Sequence, residues 1–200
     1  LRSNSIAQKI FKKLLTEEEL IKGCKKGVEK YQFELVNRYA SKLLAISRRY
    51  AKSIAGADDI LQETFIKVFK YIDRYDAEKG NLEGWLVRIT INTALDQNKK
   101  YGTIYDHGDH LMLNGTHLTT PPKAITNLSV EELLALLDKL PIGYKTVFNL
   151  YVIEQYSHFE IAEMLNIKEA TSRSQLNKAR KMLQKMVVYQ ENYQYEQRAI

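Results

Sequence analysis

Residues 156–183, YSHFEIAEMLNIKEATSRSQLNKARKML, constrain the fold more than any other stretch of the chain. Ser157 followed three residues later by Glu160 is a capping box: hydroxyl and carboxylate each satisfy an orphan amide of a helix's first turn. Ile161, Ala162 and Leu165 then mark one apolar face. Asn166 closes that helix, because a short amide side chain tolerates the left-handed backbone of a C-terminal stop. A second helix follows, with Leu176, Ala179, Leu183 and Met186 on one side at three- and four-residue spacing. With Leu176 at the centre of the buried side, steps of about 100° per residue turn Thr171, Ser174, Lys178 and Lys181 outward. Asn177 and Gln175 flank them, and Arg173 and Arg180 fall nearer the core edge, where long stems still reach solvent. No acidic residue lies between Thr171 and Met186. The pattern is a helix-turn-helix whose second helix offers a cationic, hydrogen-bonding face of the kind that enters a DNA major groove. A basic amphipathic helix with a merely solvated face reads the same way in isolation, so the rest of the chain has to choose.

Three prolines in 200 residues, at Pro121, Pro122 and Pro141, leave most of the sequence free to be helical. Thr16 with Glu19 predicts a capped first helix, with Leu20, Ile21 and Val28 beginning an apolar side. A second helix is predicted over 31–50, its core supplied by Phe33, Val36, Leu43, Leu44 and Ile46. A third runs over 57–75, where Ile60, Leu61, Phe65, Val68, Phe69 and Ile72 recur at helical spacing. Asp58, Asp59, Gln62 and Glu63 fall in its first two turns, where acidic groups suit the helix dipole. A polar, glycine-bearing loop over 77–81 leads into a fourth helix, 82–100, which carries the only tryptophan, Trp85, beside Leu82, Leu86 and Ile89. Tyr71 and Tyr75 are read as core aromatics, with stacking on exposed bases as the lesser alternative.

Residues 101–127 change character, with several glycines, two adjacent prolines, three of the four histidines and no sustained period. They read as a flexible linker. Asp106, His107, Asp109 and His110 have no helix to align them and no further Cys/His pair, so no metal is expected there. Ser129 and Glu132 open another capped helix, and Pro141 starts the next at a first-turn position. Val147, Phe148, Leu150 and Tyr151 pack that one against the helix-turn-helix. Beyond Met186 the sequence reads as a polar, tyrosine-rich tail. The expected architecture is all-α: a helical domain over 1–100, a linker over 101–127, and a second helical domain over 128–200 containing the helix-turn-helix.

A net charge of +6 favours a polyanionic partner without naming one. One cysteine, Cys24, forbids an intramolecular disulfide and fits a reducing compartment. No long apolar run would span a membrane, and lysines and glutamates interrupt any signal-peptide core near the N-terminus, so a cytoplasmic protein is expected. No Ser, His or Asp spacing sets a nucleophile against a base, and no glycine-rich loop follows a strand. Neither an enzyme nor a cofactor is expected. In the fourth helix, however, Arg88, Asn92, Asp96 and Lys99 are spaced four, four and three apart. They form one polar stripe, with Lys99 and Lys100 closing it, that can meet base edges and phosphates.

These stretches together resemble the bacterial RNA polymerase sigma factors of the two-domain, extracytoplasmic-function group. The resemblance rests on FELVNRYASKLLAISRRY (33–50), DDILQETFIKVFKYIDRYD (58–76), GWLVRITINTALDQNKK (84–100) and the run from 137 to 183, in the family's order. It implies that the third helix docks on the clamp helices of the core RNA polymerase largest subunit through Asp59, Gln62 and Glu63. It implies that the fourth helix and the 77–81 loop open the promoter's minus-ten element and hold a flipped non-template base. Asn92 matches the base-facing position, with Arg88, Asp96, Lys99 and Lys100 around it. Extruding a base costs a few kcal/mol of stacking, which the pocket has to offset. The second domain would read the minus-thirty-five duplex, Ser174 and Asn177 on bases and Thr171, Arg173 and Lys178 on the backbone. Family members usually have an anti-sigma factor as a further partner. Three positions depart from the family's pattern: Asn166 replaces the turn glycine, Lys168 a capping serine at a cost of about 1 kcal/mol, and Asn98 a common arginine.

Overall fold

The computed structural model describes residues 15–51, 53–100 and 129–198, and every regular element among them is helical. The chain divides into two compact units, Leu1–Asn98 and Lys99–Ile200. None of the described helices is long and apolar enough to cross a membrane. The residues read as a linker, with the His/Asp group at 106–110, lie outside the described ones.

In the first unit, α1 (Glu17–Lys25) begins at the expected capping box: Thr16 Oγ1 accepts from the Glu19 amide at 3.2 Å, and the Glu19 carboxylate accepts from the Thr16 amide at 3.0 Å. A left-handed Gly27 (φ 67°) turns the chain into α2 (Glu29–Tyr50). The two helices meet closely at Gly23, where a Cβ would lie 2.2 Å from the Tyr31 ring. α3 (Ile54–Tyr71) starts earlier than its periodicity predicts, because Ser53 Oγ accepts from the Gly56 amide at 3.1 Å and caps it. The acidic group therefore stands past the first turn, which holds no acid, so dipole compensation does not explain it. α3 also ends sooner, passing into 3-10 turns at Ile72–Arg74 and Ala77–Lys79 before α4 (Leu82–Lys100).

Leu20, Leu35, Leu43, Tyr50, Ile60, Val68, Leu82, Leu86 and Ile91 form the interior, each large aliphatic contributing about 1.5–3 kcal/mol on burial. Phe33, predicted to be core, is 67% exposed. It lies two residues before Leu35, about 200° around the helix from the buried side. Asn98 is buried and its Nδ2 donates to the Tyr50 carbonyl at 3.0 Å, tying α4's end to a carbonyl that α2 leaves orphaned. Burial pushes the Cys24 thiol up to about 11, which suits its role as a small core residue.

The second unit opens with α5 (Val130–Asp138), its box closed by Ser129 and Glu132. Pro141 is the cap of α6 (Ile142–Phe148), one position before the first-turn site expected of it. A π-helical turn, Asn149–Ile153, leads to α7 (His158–Leu165). Ser157 and Glu160 make the predicted reciprocal bonds at 3.3 and 2.8 Å. Asn166 takes the left-handed stop at φ 55°, ψ 50°, and the Ile167 amide returns to the Ala162 carbonyl at 3.0 Å. α8 (Glu169–Arg198) then runs on through the stretch read as a polar tail. No glycine or proline interrupts it there, and Val187 keeps its apolar side buried for one turn more. The core joins Leu136, Leu137, Leu140 and Tyr144 to Ala179, Leu183 and Val187, with Phe148, Met182 and Met186 packed against it.

Candidate nucleic-acid interface

α4 is amphipathic through hydroxyls as much as hydrocarbon. Thr90 and Thr93 are fully buried beside Leu86, Ile91, Ala94 and Leu95, and Thr90 Oγ1 donates back to the Leu86 carbonyl at 2.9 Å. That packing turns Arg88, Asn92, Asp96 and Lys99 to solvent, as their spacing predicts. Lys100 lies in the helix's last turn. Asp96 does not stand alone: Lys67 Nζ of α3 reaches its Oδ2 at 3.2 Å. An acid in a nucleic-acid face repels phosphate, and this half-exposed pair offsets that charge while bringing an ammonium to the stripe. Sequence reasoning missed Lys67, since only the packing of α3 beside α4 shows it. Asn98, by contrast, is committed to Tyr50 and buried, so it offers no side chain to DNA where the family's arginine would.

The 75–81 segment precedes this stripe. Asp76 Oδ1 accepts from the Glu78 amide at 3.0 Å, and Asn81 Oδ1 accepts from the Gly84 amide at 2.7 Å. The backbone hydrogen bond to Glu78, above all, holds the Asp76 carboxyl below the usual carboxylate range. Trp85 is half-buried and its ring lies 5.4 Å from that of Tyr75. Tyr75 itself is only 6% exposed, so stacking on a base is closed to it. Tyr71 is half-buried, with the Arg74 guanidinium 5.0 Å from its ring centroid.

In α8 the buried side comprises Ser172, Gln175, Leu176, Ala179, Leu183 and Val187. Its centre is turned about 30–40° from Leu176 toward Ala179. Gln175, expected beside the outward face, is therefore buried, and Arg173 and Arg180, expected at the core edge, are exposed. Ser174, Asn177 and Lys181 are exposed, while Thr171 and Lys178 are half-buried. Arg173 pairs with Glu169 one turn earlier, which tempers the cationic start of the helix. The Lys168 carbonyl accepts the first intrahelical bond, from Ser172 at 3.1 Å, so Lys168 does occupy the capping position. α7 and α8 are joined by His158, whose Nδ1 lies 2.8 Å from Ser172 Oγ and whose ring stacks on Tyr151 at 4.4 Å. Burial pushes the His158 imidazole down, and Arg173 pushes it further the same way.

On α3, Asp59 and Gln62 are exposed and Glu63 is half-exposed. Ile66, one turn on along the same face, is 61% exposed.

The family described as Sigma-70 region 2 matches residues 35–103, and the one described as Sigma-70, region 4 matches residues 130–183. The ECF RNA polymerase sigma-E factor of Haemophilus influenzae is 30% identical over 183 residues, covering 86% of this chain and 96% of that protein. The chain belongs to the extracytoplasmic-function sigma factors. The sigma factor SigE of Mycolicibacterium smegmatis is 33% identical over 153 residues, 75% of this chain and 59% of that longer protein. Among solved structures, the sigma factor RpoE of Bartonella quintana, in complex with the anti-sigma factor NepR, shares the fold. Its TM-score is 0.50 at 19% identity, over 77% of this chain and 94% of that one. The protein is thus a transcription initiation factor that directs RNA polymerase to promoter DNA, and it is not itself an enzyme.

Proposed function

We propose a division of labour at the level of residues. The first unit docks on core RNA polymerase through Asp59, Gln62 and Glu63 of α3, with Ile66 adding apolar contact, against the clamp helices of the largest subunit. The Arg88–Asn92–Asp96–Lys99 stripe, ending at Lys100, meets the minus-ten element, with Asn92 and the 77–81 loop holding a base of the non-template strand. In the second unit, Ser174 and Asn177 face bases of the minus-thirty-five duplex, and Thr171, Arg173 and Lys178 hold its backbone. The observation that supports this reading best is that α4 turns all four polar residues of its stripe to solvent while burying Leu82, Leu86, Thr90, Ile91, Ala94 and Leu95. An anti-sigma factor is the proposed regulator, because the RpoE of matching fold is held by one. The proposed place of action is the cytoplasm, where the polymerase works.

A gel shift with and without core polymerase tests the scheme. The chain alone is expected to bind promoter duplex weakly, and a stable open complex is expected only once core is added. Tight binding to duplex operator without polymerase would instead favour a conventional helix-turn-helix repressor or activator.

A further inference from the structure

The segment between α3 and α4 is latched from within. The Tyr75 hydroxyl donates to the Gly80 carbonyl at 3.0 Å, closing the intervening residues into a ring. Gly80 sits at φ 148°, ψ 166°, a backbone region open essentially to glycine alone, so the direction of that carbonyl depends on this residue. The ring of Tyr75 is fixed on its other side by Trp85, and its backbone carbonyl accepts from Lys25 Nζ of α1 at 3.1 Å. Burial, then the Glu17 and Asp76 charges, raise the Tyr75 phenol above its ordinary value of 10.0, so it stays a donor throughout the working range. α1, the segment and α4 thus converge on one buried residue, Tyr75.

We propose that Tyr75 is a positioning residue for the unpaired minus-ten base: its hydroxyl, latched to Gly80, keeps the segment shaped to receive the base before DNA arrives. A loop already ordered loses less conformational freedom when its ligand binds, so the latch acts on affinity without touching the ligand. The proposal rests on the reading that the 77–81 loop and Asn92 hold that base.

The test uses the full chain assembled with core polymerase on a promoter recovered by run-off transcription. The probes are that promoter's non-template strand as an oligonucleotide, and permanganate reactivity of thymines in the duplex. Tyr75→Phe keeps the ring and removes one hydrogen bond, so it should weaken oligonucleotide binding about three- to tenfold and lower thymine reactivity. Core affinity and minus-thirty-five protection should stay unchanged. A purely structural role would lower core affinity together with oligonucleotide binding, and that parallel loss would overturn the proposal. So would unchanged oligonucleotide binding. Asn92→Ala separates the two layers. If it weakens the oligonucleotide while Tyr75→Phe does not, the latch alone is refuted. If neither variant does, the base-holding reading falls with it.

Discussion

Asn92 stands exposed on α4, one turn after Arg88 and one turn before Asp96. An amide can donate to and accept from a base edge at once, which neither neighbour can do. Asn92→Ala is therefore expected to leave the closed promoter complex intact and to impair opening, seen as loss of permanganate reactivity at unpaired thymines. Normal reactivity in the variant would remove Asn92 from its role. Lys178 makes a different kind of contribution. It is half-buried, so a phosphate contact would come from the ammonium at the end of its stem. Lys178→Ala should weaken promoter binding whatever the upstream sequence, and should reduce the slope of log affinity against log salt by about one. An unchanged slope would show that its charge meets no phosphate.

At the scale of elements, the turn between α7 and α8 sets where the second helix begins. Asn166 holds it at φ 55°, a conformation that a β-branched side chain resists and glycine enters freely. Asn166→Gly should leave the melting temperature nearly unchanged, whereas Asn166→Val should cost about 1–2 kcal/mol and lower it by several degrees. Equal melting of the two variants would mean that the turn relaxes to another geometry. This stop was legible in the sequence, as were the three capping boxes at Thr16, Ser129 and Ser157, because each is a local signal spanning three or four residues. The true start of α3 was not, since Ser53 caps it without a Glu three residues on and Ile54 adds no periodicity. The buried side of α8 was misplaced by about 30–40°, enough to bury Gln175 and leave Arg173 outside. A helical wheel gives angles within a helix, but contacts with α7, including His158 on Ser172, decide which angle faces inward. The Lys67–Asp96 pair and the contact of Lys25 with Tyr75 were hidden for the same reason: the partners lie 29 and 50 residues apart.

At the scale of the whole molecule, the chain is two compact units. Asn92, proposed for the minus-ten element, lies in the first unit, and Asn177, proposed for the minus-thirty-five element, lies in the second. Variants at independent sites that share no partner usually combine within about 0.5 kcal/mol of additivity. Asn92→Ala and Asn177→Ala should therefore act on different steps of one reaction, the first on opening and the second on closed-complex affinity. In run-off transcription their double variant should show the product of the two single losses. Scrambling the upstream element should erase the Asn177→Ala effect and leave that of Asn92→Ala intact, because only the former reads that duplex. A double variant no worse than the weaker single one would mean that both asparagines serve a common step, and the assignment of one promoter element to each unit would have to be abandoned.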